Sequence, residues 1–164
     1  MVGLAADRAG GIAVRIEVAG LPAPQGSKTR TPQGGMRESS RAVGPWREAV
    51  RAETQRACGT LGHAPLPAPG EPVAVEMTFY LPRPRSAPRR VRWPAKRPDV
   101  DKLARAVLDG LVAGGAFADD GQVVWLGASK VFAGGGMPPG CVIYVQPADE
   151  EWMAEVAPGR KRDG

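Results

Sequence analysis

The sequence predicts a single α+β domain, a mixed or antiparallel sheet of about four strands with two main helices packed on it. Three observations predict it. Segments rich in Val, Ile, Phe and Tyr fall near 12–18, 72–80, 122–132 and 141–146. Apolar residues recur at helical spacing near 45–58 and 99–113. The 22 glycines and 17 prolines mark loop-rich connections between these segments, and no internal repeat joins them. A chain of 164 residues suits one domain able to bury a core unaided. We place that domain at 1–155 and a flexible basic tail at 156–164.

Residues 1–10 read as a loose leader. Val14, Ile16 and Val18 fall on one face of the first strand. The Pro/Gly stretch 20–30 then breaks regular structure and carries Lys28 and Arg30, which suit phosphate contacts or a solvated turn. In the first helix Trp46, Ala49, Val50 and Ala57 form the apolar stripe. Glu53 interrupts it, and Arg47, Glu48, Arg51, Thr54 and Gln55 lie on the other side. Pro45 sits in the first turn, where a helix tolerates proline. A Pro/Gly linker at 60–71 leads into the strand at 72–80. Residues 81–97 are dense in arginine, with Arg83, Arg85, Arg89 and Arg90, and contain no acid. Prolines keep this loop extended, and guanidinium groups pair with phosphate oxygens in a bidentate way. In the helix at 99–113, Leu103, Ala104, Ala106, Val107, Leu108 and Leu111 form one apolar arc. Asp101, Lys102, Arg105 and Asp109 lie opposite, and Gly114 and Gly115 end the helix. The strands at 122–132 and 141–146 are expected to pair as a hairpin across the Gly/Pro turn between them.

Composition excludes several chemistries. Two cysteines, Cys58 and Cys141, lie far apart without metal-ligand spacing, so neither a disulfide framework nor a zinc site is expected. The single histidine, His63, leaves no material for a His-based triad. No apolar run approaches the roughly 18 residues of a membrane helix, and no secretory leader is recognisable. A cytoplasmic, reducing setting without a membrane partner is expected. The formal charge of +5 and pI near 9.7 favour a polyanionic partner, nucleic acid being the commonest, although an incidentally basic surface satisfies the same numbers.

The chemistry concentrates in two acidic doublets. Asp99 and Asp101 open the second helix, and Asp119 and Asp120 precede the strand at 122–132. If that strand packs beside the helix, the doublets are expected to meet at one end. Mg²⁺ prefers a few carboxylate oxygens and retained waters. Phosphodiester hydrolysis needs an activated water and charge neutralisation, which such an ion supplies. Arg105, one turn beyond Asp101, is placed to stabilise developing phosphate charge. Each acid also has a plain structural reading. Asp99 suits an N-cap and Asp101 a first-turn acid. Asp109 suits an i, i+4 pair with Arg105, and Asp119-Asp120-Gly121 suits a turn.

The segment Arg97-Pro98-Asp99-Val100-Asp101, with Leu103 and Asp109, followed by Asp119-Asp120 and Gln122-Val123-Val124 and then Lys130, resembles the RusA family of Holliday junction resolvases. Order, spacing and flanking apolar residues agree together over 97–130. The loop from Gly20 is a weaker match. The resemblance implies a homodimeric α+β fold and a Mg²⁺-dependent endodeoxyribonuclease, with Mn²⁺ as a substitute. It also implies paired nicking of four-way DNA junctions in recombination and repair, in a bacterial or phage setting. By position, Asp99, Asp101 and Asp120 correspond to the family's essential acids, and Asp119 to their neighbour. Two positions depart from the pattern. Lys102 stands where the family has Asn, and Arg105 stands where it has its catalytic-site Lys. Arginine keeps the charge but donates no proton near neutral pH. Lys28, Arg30, Arg83, Arg85, Arg89, Arg90 and Lys102 are the expected DNA contacts. A different metal-dependent phosphohydrolase, a non-catalytic basic DNA-binding protein and a small basic interaction domain are the rival readings.

Overall fold

Alternating apolar residues become strands, and 3.6-residue periodicity becomes helices, close to where the sequence puts them. The computed structural model describes residues 4–6, 12–26, 28–30, 36–38, 41–60, 67–150 and 153–154, with the backbone alone for 4–6, 12, 28–30 and 36–38. In chain order the elements are β1 (Leu4–Ala6), β2 (Ile12–Ala19), β3 (Lys28–Arg30), β4 (Met36–Glu38), α1 (Val43–Thr60), β5 (Val73–Leu81) and α2 (Val100–Gly114). A 3-10 turn at Asp120–Gln122 follows, then β6 (Val123–Phe132) and β7 (Gly140–Pro147). The sheet has the order β1-β2-β7-β5-β6, and β3 and β4 form a separate two-stranded ribbon. It is a mixed sheet. β5 and β6 run parallel, while β7 is antiparallel to both β2 and β5. The fold is α+β as expected. The short pairing of β1 with β2, and the β3–β4 ribbon inside the stretch read as loop, were not foreseen.

The expected hairpin between 122–132 and 141–146 does not form. β7 inserts between β2 and β5, and β6 takes the sheet edge. The reason is burial. Cys141, Val142, Ile143 and Val145 are buried, as suits an interior strand, whereas β6 alternates half-buried with exposed positions and leaves Val124 52% and Leu126 44% exposed. The connection passes the end of β5, where the Ala133 amide donates to the Leu81 carbonyl at 2.7 Å. Gly134, Gly135 and Gly136 all take positive φ there, a conformation side chains avoid.

Both helices contribute to one core. Ile16, Val18, Val75, Met77, Phe79, Ile143 and Val145 pack with Trp46, Val50 and Ala57 of α1 and Leu103, Val107 and Leu111 of α2. Burying each such large side chain contributes about 1.5–3 kcal/mol before entropy is counted. Thr54, read as lying on the polar side of α1, is instead fully buried. Its hydroxyl donates to the Val50 carbonyl at 2.7 Å, which removes the cost of burying it. Small residues then let the helices meet closely. A Cβ on Gly110 would lie 2.6 Å from a Val50 methyl, and one on Gly114 would lie 2.5 Å from Thr54 Cβ.

Candidate metal centre and nucleic-acid interface

α2 begins at Asp99, whose backbone is extended (φ −71, ψ 135) and whose carbonyl accepts from the Leu103 amide at 3.1 Å. Its side chain makes no capping hydrogen bond, so the capping role expected of Asp99 is not realised. The carboxylate instead faces Lys102, with Nζ to Oδ2 at 3.4 Å and both side chains 47% exposed. An ion pair this open holds the carboxylate only weakly. Asp101 and Arg105 are exposed on the next turn. Two contacts fix this end of the helix. Lys130 Nζ donates to the carbonyls of Lys96 (2.7 Å) and Pro98 (2.8 Å), tying the lead-in segment to β6. The Gln25 amide donates to the Lys102 carbonyl at 3.0 Å, seating the 20–26 loop against the first turn.

The second doublet is built differently. Asp119 Oδ1 accepts from the Gly121 amide at 2.7 Å and closes a capping box with Gln122. Gln122 is buried. Its Oε1 accepts from the amides of Ala118 (2.9 Å) and Asp119 (3.1 Å), and its Nε2 donates to the carbonyls of Ala68 (2.8 Å) and Glu71 (2.9 Å). All four polar valences of that amide are thus used to weld the turn to the start of β5. Asp119 is committed to this structure, while Asp120 beside it is exposed.

The doublets do not meet within one chain. β6 follows α2 after a short turn and runs back along it, so the end of β6 at Lys130, not its beginning, lies beside Pro98. Asp99 and Asp101 therefore sit at one end of the 15-residue α2, and Asp119 and Asp120 near the other, about 22 Å away along the axis. Among the described residues no group of three or more His, Cys, Asp or Glu side chains is disposed to hold a metal. The expectation of convergence overlooked chain direction, since a strand that returns from a helix brings its far end, not its near end, to the helix start.

Other expected residues are placed as follows. Asp109 pairs with Arg47 of α1 (3.2 Å) rather than with Arg105. Arg83 stacks over the Phe132 ring, 4.2 Å to its centroid, and its Nη1 reaches the Pro88 carbonyl at 3.4 Å, so it braces its own loop. Arg85, Arg89 and Arg90 are exposed. Lys28 and Arg30 lie in β3, but their side chains, like His63 and the 156–164 tail, fall outside the described residues. Burial pushes the thiols of both Cys141 and Cys58 up, away from nucleophilic thiolate. Sequence reasoning named Gln122 and Lys130 only as motif members and missed their roles. The signal available was Gln122 directly ahead of β6 and Lys130 set among the largely apolar residues of that strand.

A family model described as Endodeoxyribonuclease RusA matches residues 20–145. No curated protein matches the chain. The match spans every element from the 20–26 loop into β7, including both acidic doublets, Lys130 and the arginine-rich loop.

Proposed function

The chain belongs to the RusA endodeoxyribonuclease family, and from that premise we propose that it is a Mg²⁺-dependent nuclease that resolves four-way DNA junctions by paired nicks, acting as a homodimer in cytoplasmic recombination and repair. The observation that carries this reading is the pairing of two exposed carboxylates at a braced helix start with a free sheet edge alongside. Among the described residues β6 is the last strand of the sheet, and its Val124 and Leu126 are exposed. An unpaired apolar edge invites a second strand. Two copies related by a two-fold axis across β6 would run antiparallel, bringing the start of one β6 to the end of the other. Asp120 of the second copy would then approach Asp99 and Asp101 of the first, and the same would hold in reverse.

Carboxylate oxygens on two rigid elements suit a hard divalent ion, and Asp99, Asp101 and the second copy's Asp120 would hold Mg²⁺ or Mn²⁺. When bound, the ion supplies an activated water and neutralises phosphate charge. The chain's own residues do the rest. Lys130 keeps the 96–98 segment in register with β6, and so fixes where Asp99 projects. Arg105 adds a permanent positive charge beside the scissile phosphate. Arg85, Arg89, Arg90 and Lys102 draw in the DNA backbone. Replacing Arg85, Arg89 and Arg90 together by Ala lowers the dependence of log binding constant on log salt by about 3, near 0.9 per lost contact.

Mixing two inactive proteins tests the shared site. Asp101→Asn and Asp120→Asn are each expected to bind a labelled four-way junction without nicking it. Co-refolded in equal amounts, half the dimers are mixed, and each mixed dimer has one intact site, so single nicks return at about a quarter of the wild-type number of sites. No recovery from mixed dimers would mean that both aspartates act within one copy. A chain that stays monomeric on the junction leaves the doublets apart, and then a DNA-binding protein without cleavage is the better reading.

A further inference from the structure

A groove of about 880 Å³ opens beside the start of α2, between the 20–24 segment, the first turn of α1 and the 82–98 loop. Its walls are almost entirely apolar, yet they are left open. Leu21 is 65%, Trp93 64% and Val91 37% exposed, and all three line it. Scattered surface apolar residues need no explanation, but three facing one concavity do. The rim has the opposite character. Lys96 and Arg97 line it, and residues 82–97 carry seven cations and no acid. The groove also includes Pro98, the residue before Asp99.

We propose that this groove receives an unstacked nucleobase of the branched DNA, with Trp93 as its stacking face. The proposal rests on the nuclease reading above and assigns it a source of structure selectivity. A nucleobase has two flat π-faces and sits next to a phosphate, so it asks for flat apolar walls and a cationic rim together. The volume suits one nucleotide. A base seated here puts its own or its neighbour's phosphate next to Asp99 and Asp101. Extruding a base costs a few kcal/mol in an intact duplex and least where stacking is already broken. The branch point of a junction is such a place and linear duplex is not. A proline-lined groove also fits an extended peptide, but seven cations without an acid favour the polyanion. A second copy of this chain, itself at +5, would bring like charge to that rim.

Trp93→Ala and Trp93→Phe decide the matter, and because Trp93 is exposed, matching thermal melts will show both variants folded. Binding is measured without divalent metal to a four-way junction and to linear duplex of equal length, with tryptophan emission titrated in parallel by a short oligothymidine. The expected result is a loss of about tenfold or more in junction and oligothymidine affinity for Trp93→Ala. Duplex affinity stays unchanged, Trp93→Phe recovers most of the loss, and oligothymidine quenches the wild type but not Trp93→Ala. Equal losses on duplex and junction, or no loss on either, overturn the proposal. So does stronger quenching by an acidic proline-rich peptide than by oligothymidine. Nicking of the junction by wild-type protein with Mg²⁺ is scored separately. Selective binding through Trp93 without any nicking sinks the nuclease reading and leaves the groove assignment standing, whereas nicking that is indifferent to Trp93 does the reverse.

Discussion

The two acidic doublets look alike in sequence and are put to different uses in the fold. At the start of α2 neither carboxylate is used as a cap. Asp99 makes no capping hydrogen bond and Asp101 is exposed. Ahead of β6, Asp119 is taken up by the Gly121 amide and the capping box with Gln122, and Asp120 alone is left over. Three exposed carboxylates outside any cap therefore remain out of four, Asp99 (loosely paired with Lys102) and Asp101 at one end of α2 and Asp120 near the other. A helix start that declines its own cap leaves stability unused, and the Lys130 contacts to Lys96 and Pro98 compensate by holding that end from outside.

Substitutions sharpen or break this contrast. The largest effect is expected at Asp120. Asp120→Asn lowers junction nicking by more than the roughly 10–100-fold typical of groups one layer removed from a metal, with no change in melting temperature, since the side chain is exposed. Nicking at the wild-type rate would remove Asp120 from the site and with it the need for a second copy. Next comes the seating of α2. Gly110→Ala forces a methyl against Val50 and costs about 1–3 kcal/mol in denaturant titration. Unchanged stability would show that α1 and α2 do not meet closely there. Lys130→Met removes a charged donor from two carbonyls and costs about 1–2 kcal/mol. It also reduces nicking although Lys130 carries no proposed contact to DNA, so full activity in a destabilised variant would refute its positioning role. The smallest effects compare the doublets directly. Asp119→Ala loses about 1 kcal/mol of capping, while Asp99→Ala changes stability by no more than about 0.5 kcal/mol. Reversed stabilities would invert the division between structural and functional acids drawn here.

Much of this was legible in the chain. The α2 arc from Leu103 to Leu111 is buried as read except for Leu108, which is half-buried at its edge, because periodicity directly encodes which face leaves water. The spans of β2, β5, β6 and β7 follow for the same reason. The errors have physical causes too. Polarity places Thr54 on the solvent side of α1, but an i, i+4 bond from its hydroxyl to the Val50 carbonyl lets it pack like an apolar residue. Helical spacing pairs Asp109 with Arg105, whereas in the fold Asp109 pairs with Arg47 of α1. The groove around Trp93 had no sequence signature, since its walls come from three separated segments.

By itself the sequence determined the elements, their buried faces, the basic loop and the acidic motif, because each depends on residues within a turn or two of one another. Tertiary structure alone decided strand order and the distance between the doublets. Side-chain patterning tells a strand which face to bury but carries no information about which strand lies beside it or which way the chain is travelling when it arrives. The return of β6 along α2 is what separates Asp120 from Asp99 and Asp101, and it leaves β6 last in the sheet among the described residues.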